Sequence, residues 1–320
     1  MTGMITVRQD FRMKLTLGPI PFLWEKNRII SFYKEIAETP VSVVYVGEVV
    51  CSKRAILGID MLKTIRNILT DAGKEVVIST FGLMTNREEL EFAESLCTIA
   101  APIEVNNIGI LNFCEGKETI AGPHLAIYNG SAAGYFASIG VKRIVFMPEL
   151  SSDAIRSVSS AVPGVEKEII AFGNLPLAFS WRCYTARALG MSKANCAISC
   201  IKYPEGMPLE TMDRMPVFNI NGTQIVSAQK VCMIEEIDLL RDMGVGLLRI
   251  MPHPTATPEI IDIFNSVTEG VLSASGAVKR LRKFAPEGIS NGWFYGKPGW
   301  EYVGKESAEA DARHVSQPHF

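Results

Sequence analysis

Short Val/Ile-rich runs alternate with amphipathic stretches along most of this chain, and that alternation limits its folds more than any other feature. The strand candidates are Lys14–Leu17, Ser42–Val46, Val76–Thr80, Ile103–Asn106, Leu125–Tyr128, Arg143–Met147, Glu168–Phe172 and Gly246–Ile250. Several are continuous apolar runs, as expected of parallel strands covered on both faces. Between them, Ile29, Phe32, Tyr33 and Ile36 mark a helix that stops before Pro40. Ile59, Leu62, Ile65 and Leu69 mark another, with Gly73 placed for a left-handed cap. Eight strands alternating with helices predict an α/β fold of the (β/α)8, TIM-barrel type.

The alternation fails after about residue 173. Residues 174–216 are rich in Cys, Pro and Met and read as an insertion. Two β-like runs follow around Asn221-Gly222, a strong hairpin signal. The predicted organisation is a leader at 1–12 outside the fold, one barrel-like domain over 13–302, and a polar tail over 303–320. Met13 is an alternative start.

Composition bears on function in two ways. Apolar residues are 48% of the 320-residue chain, enough for a large core. The net charge is −2 with no dense basic run, which argues against binding nucleic acid through counterion release. The sequence has neither a membrane-length apolar stretch nor a signal-peptide core, so a cytoplasmic location is expected. In that compartment, cysteines serve as metal ligands, catalytic groups or buried fillers more often than as disulfides.

Seven cysteines are present. Cys183, Cys196 and Cys200 form C-x12-C-x3-C, an incomplete soft-donor set. A tetrahedral metal site or an iron–sulfur cubane needs a fourth ligand. Cys51 follows the strand Ser42–Val46, so its loop should open on the barrel face where the insertion also begins. Zinc and an iron–sulfur cluster both suit four thiolates. Structural zinc favours paired C-x2–4-C knuckles, and only one such pair is present. Cys97 and Cys232 fall in helix-like stretches and Cys114 after an apolar run; these read as buried filler.

Polar residues near these cysteines are secondary candidates. Lys53, Arg54, Arg182 and Arg187 could balance thiolate charge or hold a carboxylate. Glu48 is a candidate proton carrier, and Tyr203, after Lys202, could pack the cluster loop. His124 is a possible acid, base or ligand at a strand entrance, and His253, boxed by prolines, reads as structural. No phosphate loop, H-E-x-x-H or G-x-S-x-G motif occurs.

The segments YVGEVVCSKR (45–54), WRCYTARA (181–188) and CAISCIKYPEG (196–206) resemble those of the UbiV family of oxygen-independent ubiquinone biosynthesis. LGPIPFLW (17–24), GNLPLAFS (173–180) and NGTQ (221–224) fit the same pattern. That family falls within the larger U32 group, historically labelled collagenase-like peptidases, whose other members include hydroxylases of RNA bases. The resemblance implies a [4Fe-4S] cluster on Cys51, Cys183, Cys196 and Cys200. It implies a heterodimer with a UbiU-like protein and a lipid-binding accessory protein, UbiT. It also implies ring hydroxylation of a prenylated aromatic quinone precursor, with prephenate as oxygen donor. Two alternatives stay open: an electron-relay or scaffold subunit without its own substrate site, and a related RNA-base hydroxylase.

Overall fold

The computed structural model describes residues 13–304. The expectations for residues 1–12 and for the tail from 305 onward lie outside the described residues.

Eight parallel strands close into a barrel, with helices between them over most of the ring. The barrel strands are β1 (Lys14–Leu17), β2 (Val43–Gly47), β3 (Glu75–Ser79), β4 (Ile103–Val105), β5 (Thr119–Ala121), β6 (Arg143–Val145) and the first part of β7 (Glu166–Phe179). After β8 (Met207–Glu210), β9 (Pro216–Asn221) and β10 (Gln224–Cys232), the ring is closed by β11 (Leu247–Ile250), which pairs with both β7 and β1. The outer helices are α1 (Lys26–Ala37), α2 (Gly58–Asp71), α3 (Arg87–Leu96), α4 (Gly130–Ser138) and α5 (Ser152–Ala161). A short α6 (Tyr184–Ala188) precedes α7 (Ile237–Asp242), α8 (Thr257–Thr268) and α9 (Ala274–Leu281). Each main helix buries the stripe its periodicity marks: Ile29, Phe32, Tyr33 and Ile36 on α1, Leu62, Ile65 and Leu69 on α2.

Alternation along each strand sends one set of side chains inward and the other under the helices. Val44 and Val46 join the large core beneath the helices, while Val43 and Tyr45 point inward with Val77, Ile120, Val145 and Leu247. Above this apolar layer the interior turns charged. Arg249 donates from Nε to Glu168 (2.8 Å) and from Nη1 to Glu104 (2.7 Å), and its guanidinium lies over the Tyr45 ring. Thr16 and Tyr45 also donate to Glu168, and Ser79 donates to Glu104. Burial alone would raise the Glu168 carboxyl, but Arg249 and Arg143 hold it below the usual range.

The predicted strand at Leu125–Tyr128 is corrected: the fifth strand is Thr119–Ala121, and Pro123–Leu125 is a 3-10 turn followed by Ala126 in the left-handed region. Pro123 cannot donate to a strand ladder, so the chain turns there. Cys232 was expected in a helix and instead ends β10; helix α7 begins only at Ile237.

Strand β7 is twice used. Its first half completes the barrel, and its second half runs on to Phe179, pairing antiparallel with β10. Gly173 stands at the change-over with φ +122, where a Cβ would lie 2.5 Å from Met251 Cβ. Strand β10 continues the outer sheet through β9 to β8, and further along the edge away from β7 it pairs with β12 (Ile289–Ser290). The turn predicted at Asn221-Gly222 joins β9 to β10. This outer sheet carries the Cys-rich segment over the end of the barrel.

Candidate functional site

Strand β2 leaves the barrel at Gly47, whose φ of +146 and contact with Ser79 exclude a side chain; a Cβ would sit 2.4 Å from Ser79 O. Glu48 then shapes the loop. Its Oε1 accepts the N–H groups of Val50 (2.7 Å) and Cys51 (3.1 Å), and its Oε2 faces Arg54 Nε at 3.4 Å. Burial raises the Glu48 carboxyl despite that partner. Cys51 precedes a 3-10 turn at Ser52–Arg54, and burial raises its thiol as well.

Arg54 is buried rather than free in solvent. It donates from Nη1 to Asn221 Oδ1 (2.8 Å) and from Nη2 to Pro21 O (2.9 Å). Thr223, in the same hairpin turn, donates to Val50 O at 2.8 Å. On its other side the turn receives α6: Tyr184 N–H donates to Gly222 O (2.8 Å), and Gly222 N–H donates to Thr185 Oγ1 (3.1 Å). Cys183 is the residue before α6, and its Sγ accepts the Ala186 N–H at 3.4 Å. One turn thus holds the Cys51 loop on one flank and the Cys183 helix on the other.

Lys53 adds a third tie. Its Nζ donates to the carbonyls of Lys193 and Ala194, each at 2.7 Å, just before Cys196. Ser52 and Lys193 both meet Glu89, at 2.7 and 3.7 Å. Between Cys196 and Cys200, Ala197 and Ile198 take φ of +45 and +53. Two consecutive non-glycine residues in the left-handed region cost strain, Ile198 most because its branched Cβ crowds the backbone. The Cys196 carbonyl accepts from Ser199 N (2.9 Å) and Oγ (2.6 Å), fixing the bend.

The cysteines feel one another. The Cys200 thiol is pushed up to about 11, chiefly by burial, then by Cys183, Cys51 and Glu48, against the opposing charge of Arg54. All seven cysteines are free thiols. Cys97 and Cys114 are buried with sulfurs 3.9 Å apart, and Cys232 is buried, as filler would be. Among the described residues, no three His, Cys, Asp or Glu side chains gather closely enough for one metal ion. Thiolates on one tetrahedral zinc stand about 3.8 Å apart, following from Zn–S bonds of about 2.3 Å. A four-iron cluster places each thiolate on its own iron and asks for a wider set. Four soft donors lie on mutually tied loops, and the Arg54 charge lowers the thiols of Cys51 and Cys200 against the effect of burial; the donor type suits either group.

The other candidates divide. Arg182 and Arg187 are exposed beside Cys183, while Lys53, Arg54 and Glu48 order the Cys51 loop. Tyr203 donates its N–H to Cys200 O at 3.0 Å. His253 accepts the Thr255 N–H and packs near Phe284. His124 packs edge-on against Phe179, with burial and then Arg249 holding its imidazole down at about 3, so it is neutral. The sequence reading missed Arg249, Glu104 and Glu168. A lone charge inside each of the apolar strands LLRI and IEV was the available signal, whereas Glu168 follows two other charges at the start of β7.

Residues 27–303 match the profile of peptidase family U32. Two Helicobacter pylori proteins named tRNA hydroxylation protein P are each 27% identical over 148 residues, 40% of this chain. The match spans about a third (34%) of the length of those curated relatives. Among solved structures, the thiamine phosphate pyrophosphorylase of Pyrococcus furiosus aligns at TM-score 0.44 and 9% identity, over 82% of this chain and 98% of that one. The dihydropteroate synthase of Thermus thermophilus aligns at 0.40 and 14%, over 80% and 94%.

Proposed function

The chain belongs to peptidase family U32, and from that premise we propose that it is the iron–sulfur subunit of an oxygen-independent ring hydroxylase. Cys51, Cys183, Cys196 and Cys200 would hold a [4Fe-4S] cluster. The observation that carries this reading is the clasp of Lys53 on the carbonyls of Lys193 and Ala194. It closes the Cys51 loop on the Cys196 loop, beside the hairpin turn that receives the Cys183 helix.

A bound cluster supplies a redox-active centre whose potential follows its charge, hydrogen bonds and exposure. The chain's own residues do the rest. Arg54 offsets thiolate charge, Glu48 fixes the turn at Cys51 through two N–H groups, and the Ala186 N–H donates to Cys183 Sγ. The barrel orients the ring and keeps water from the reacting face.

The substrate in this reading is a prenylated aromatic quinone precursor, with prephenate as oxygen donor, and the setting is the cytoplasm. A UbiU-like protein completes a heterodimer, and UbiT presents the lipid. Exposed apolar residues support a docking partner: Trp181, Leu189, Ile201, Leu209, Met212 and Met215 all lie on the Cys-rich segment and the outer hairpin. Among the described residues, no helix is long and apolar enough to cross a membrane.

A second reading, hydroxylation of an RNA base, is favoured by the likeness to tRNA hydroxylation protein P. The net charge of −2 weighs against it. One anaerobic experiment separates the readings: the chain and its partner are incubated with isotopically labelled oxygen donor, quinone precursor and unmodified tRNA. A labelled hydroxyl on the quinone ring supports the first reading. Label on tRNA alone selects the second, and binding of precursor and donor by the partner alone, with both chains still needed for conversion, reduces this chain to an electron relay or scaffold.

A further inference from the structure

The barrel mouth holds a pocket that no cysteine occupies. It is built from residues just beyond the C-terminal ends of the barrel strands: Ile20 after β1, Val49 and Val50 after β2, His124 after β5, Met251 after β11. Its walls are largely apolar, and Glu104, Asn106 and Arg249 lie at its polar end. Val50, one residue from Cys51, lines both the pocket and the cysteine loop.

Two atoms at that polar end lack partners. Arg249 is 1% exposed, yet its Nη2 makes no hydrogen bond, although Nε and Nη1 are both satisfied. Asn106 is also 1% exposed, and its Oδ1 accepts nothing, although Nδ2 donates to Thr80 O and Glu104 Oε2. Both side chains hold the Glu104 carboxylate, Arg249 at Oε1 and Asn106 at Oε2, and both line the same pocket. Gly122 leaves Asn106 Oδ1 uncovered on one side; a Cβ there would lie 2.1 Å from it. A buried donor without a partner costs about 1–3 kcal/mol. A ligand that satisfies it recovers that cost and gains orientation.

Charge selects the ligand class. Arg249 already faces two carboxylates, Glu104 and Glu168. Arg143 below is matched by Glu75 and Glu166. His124 at the rim is neutral. Among the described residues that line the pocket, no positive charge is left to balance an anion, so a carboxylate ligand would meet the Glu104 and Glu168 carboxylates. A neutral oxygen that both accepts and donates, on a flat apolar body, answers both orphaned atoms.

We infer that the barrel mouth binds a neutral phenolic ring, its hydroxyl accepting from Arg249 Nη2 and donating to Asn106 Oδ1, beside the Cys51 loop. The inference deepens the ring-hydroxylase reading and rests on it for the identity of the ring, not for the existence of the pocket.

The test uses the full chain with 13C-methyl methionine, read by NMR, with the Met251 signal assigned through Met251→Leu. The probes are 2-methoxyphenol and the anion 2-methoxybenzoate. The phenol should shift the Met251 methyl while leaving distant methionines unmoved, and the benzoate should bind at least tenfold more weakly. Arg249→Lys keeps a cation for both carboxylates but loses Nη2; it should weaken the phenol at least tenfold. Should that variant fail to fold, Ile20→Trp, which crowds the mouth from its rim, should abolish the shift. Equal or tighter benzoate binding, a response confined to other methionines, or an undiminished response in folded Arg249→Lys or in Ile20→Trp would overturn the inference. Iron and sulfide are measured on the same samples. A Met251 response that persists in iron-free protein supports the pocket and leaves any failure with the cluster reading alone.

Discussion

Arg54 Nη1 lies 2.8 Å from Asn221 Oδ1, joining the turn after Cys51 to the hairpin that holds the Cys183 helix. The two residues are far apart in sequence, and both are buried. Asn221→Ala removes the acceptor and leaves a buried guanidinium short of one partner. The expected loss is about 1–3 kcal/mol of unfolding free energy. Urea denaturation of the two proteins, prepared without metal, measures it. A change below a few tenths of a kcal/mol would mean that the Arg54–Asn221 contact does not hold these loops together.

Strain between Cys196 and Cys200 gives a second prediction. Ile198 sits at φ +53, where a branched side chain is disfavoured. Ile198→Gly should stabilise the metal-free protein by about 1 kcal/mol, net of the extra freedom glycine adds to the unfolded chain. The same variant should hold iron less firmly, because the bend is no longer enforced. Denaturation and iron-release rates, measured side by side, should therefore move in opposite senses.

A third prediction concerns pH. Glu236 is buried and accepts from Asn291 Nδ2 and Tyr295 OH through Oε1, while Oε2 has no partner. Burial raises its carboxyl to about 7 from an ordinary 4.5. The unfolded chain therefore loses this proton first as pH rises. The group costs nothing below about pH 4.5, and stability declines from there to about pH 7 and levels off above it. Glu236→Gln keeps the Oε1 acceptor and removes the charge. It should be near neutral at pH 4.5 and stabilising by about 3 kcal/mol at pH 8. A variant equally stable relative to wild type at both pH values would contradict the account.

Much of this architecture is written in local pattern. Strands such as VVYVG and EVVIS are apolar on both faces, and the stripes on α1 and α2 have helical spacing, so ring and helices could be read directly. The fifth strand was misplaced because LAIY looks more strand-like than TIA. Three residues suffice inside a barrel whose neighbours supply the ladder, and the better-looking run follows a proline that turns the chain. Cys232 was misread because the strand ends there and apolar Met233 and Ile234 lead on, past two glutamates, to the helix at Ile237, giving the stretch a helix-like pattern. The candidate cysteines stand out by residue type alone. Arg249, Glu104 and Glu168 do not, because their meaning depends on three strands meeting across the barrel.

The central claim is that Cys51, Cys183, Cys196 and Cys200 together hold a [4Fe-4S] cluster. Iron, acid-labile sulfide and visible absorbance on protein purified without oxygen, wild type beside Cys196→Ala, test it most directly. The account predicts about four iron and four sulfide per chain in wild type, lost in the variant. About one zinc per chain without sulfide would contradict it and make these thiolates a structural metal site.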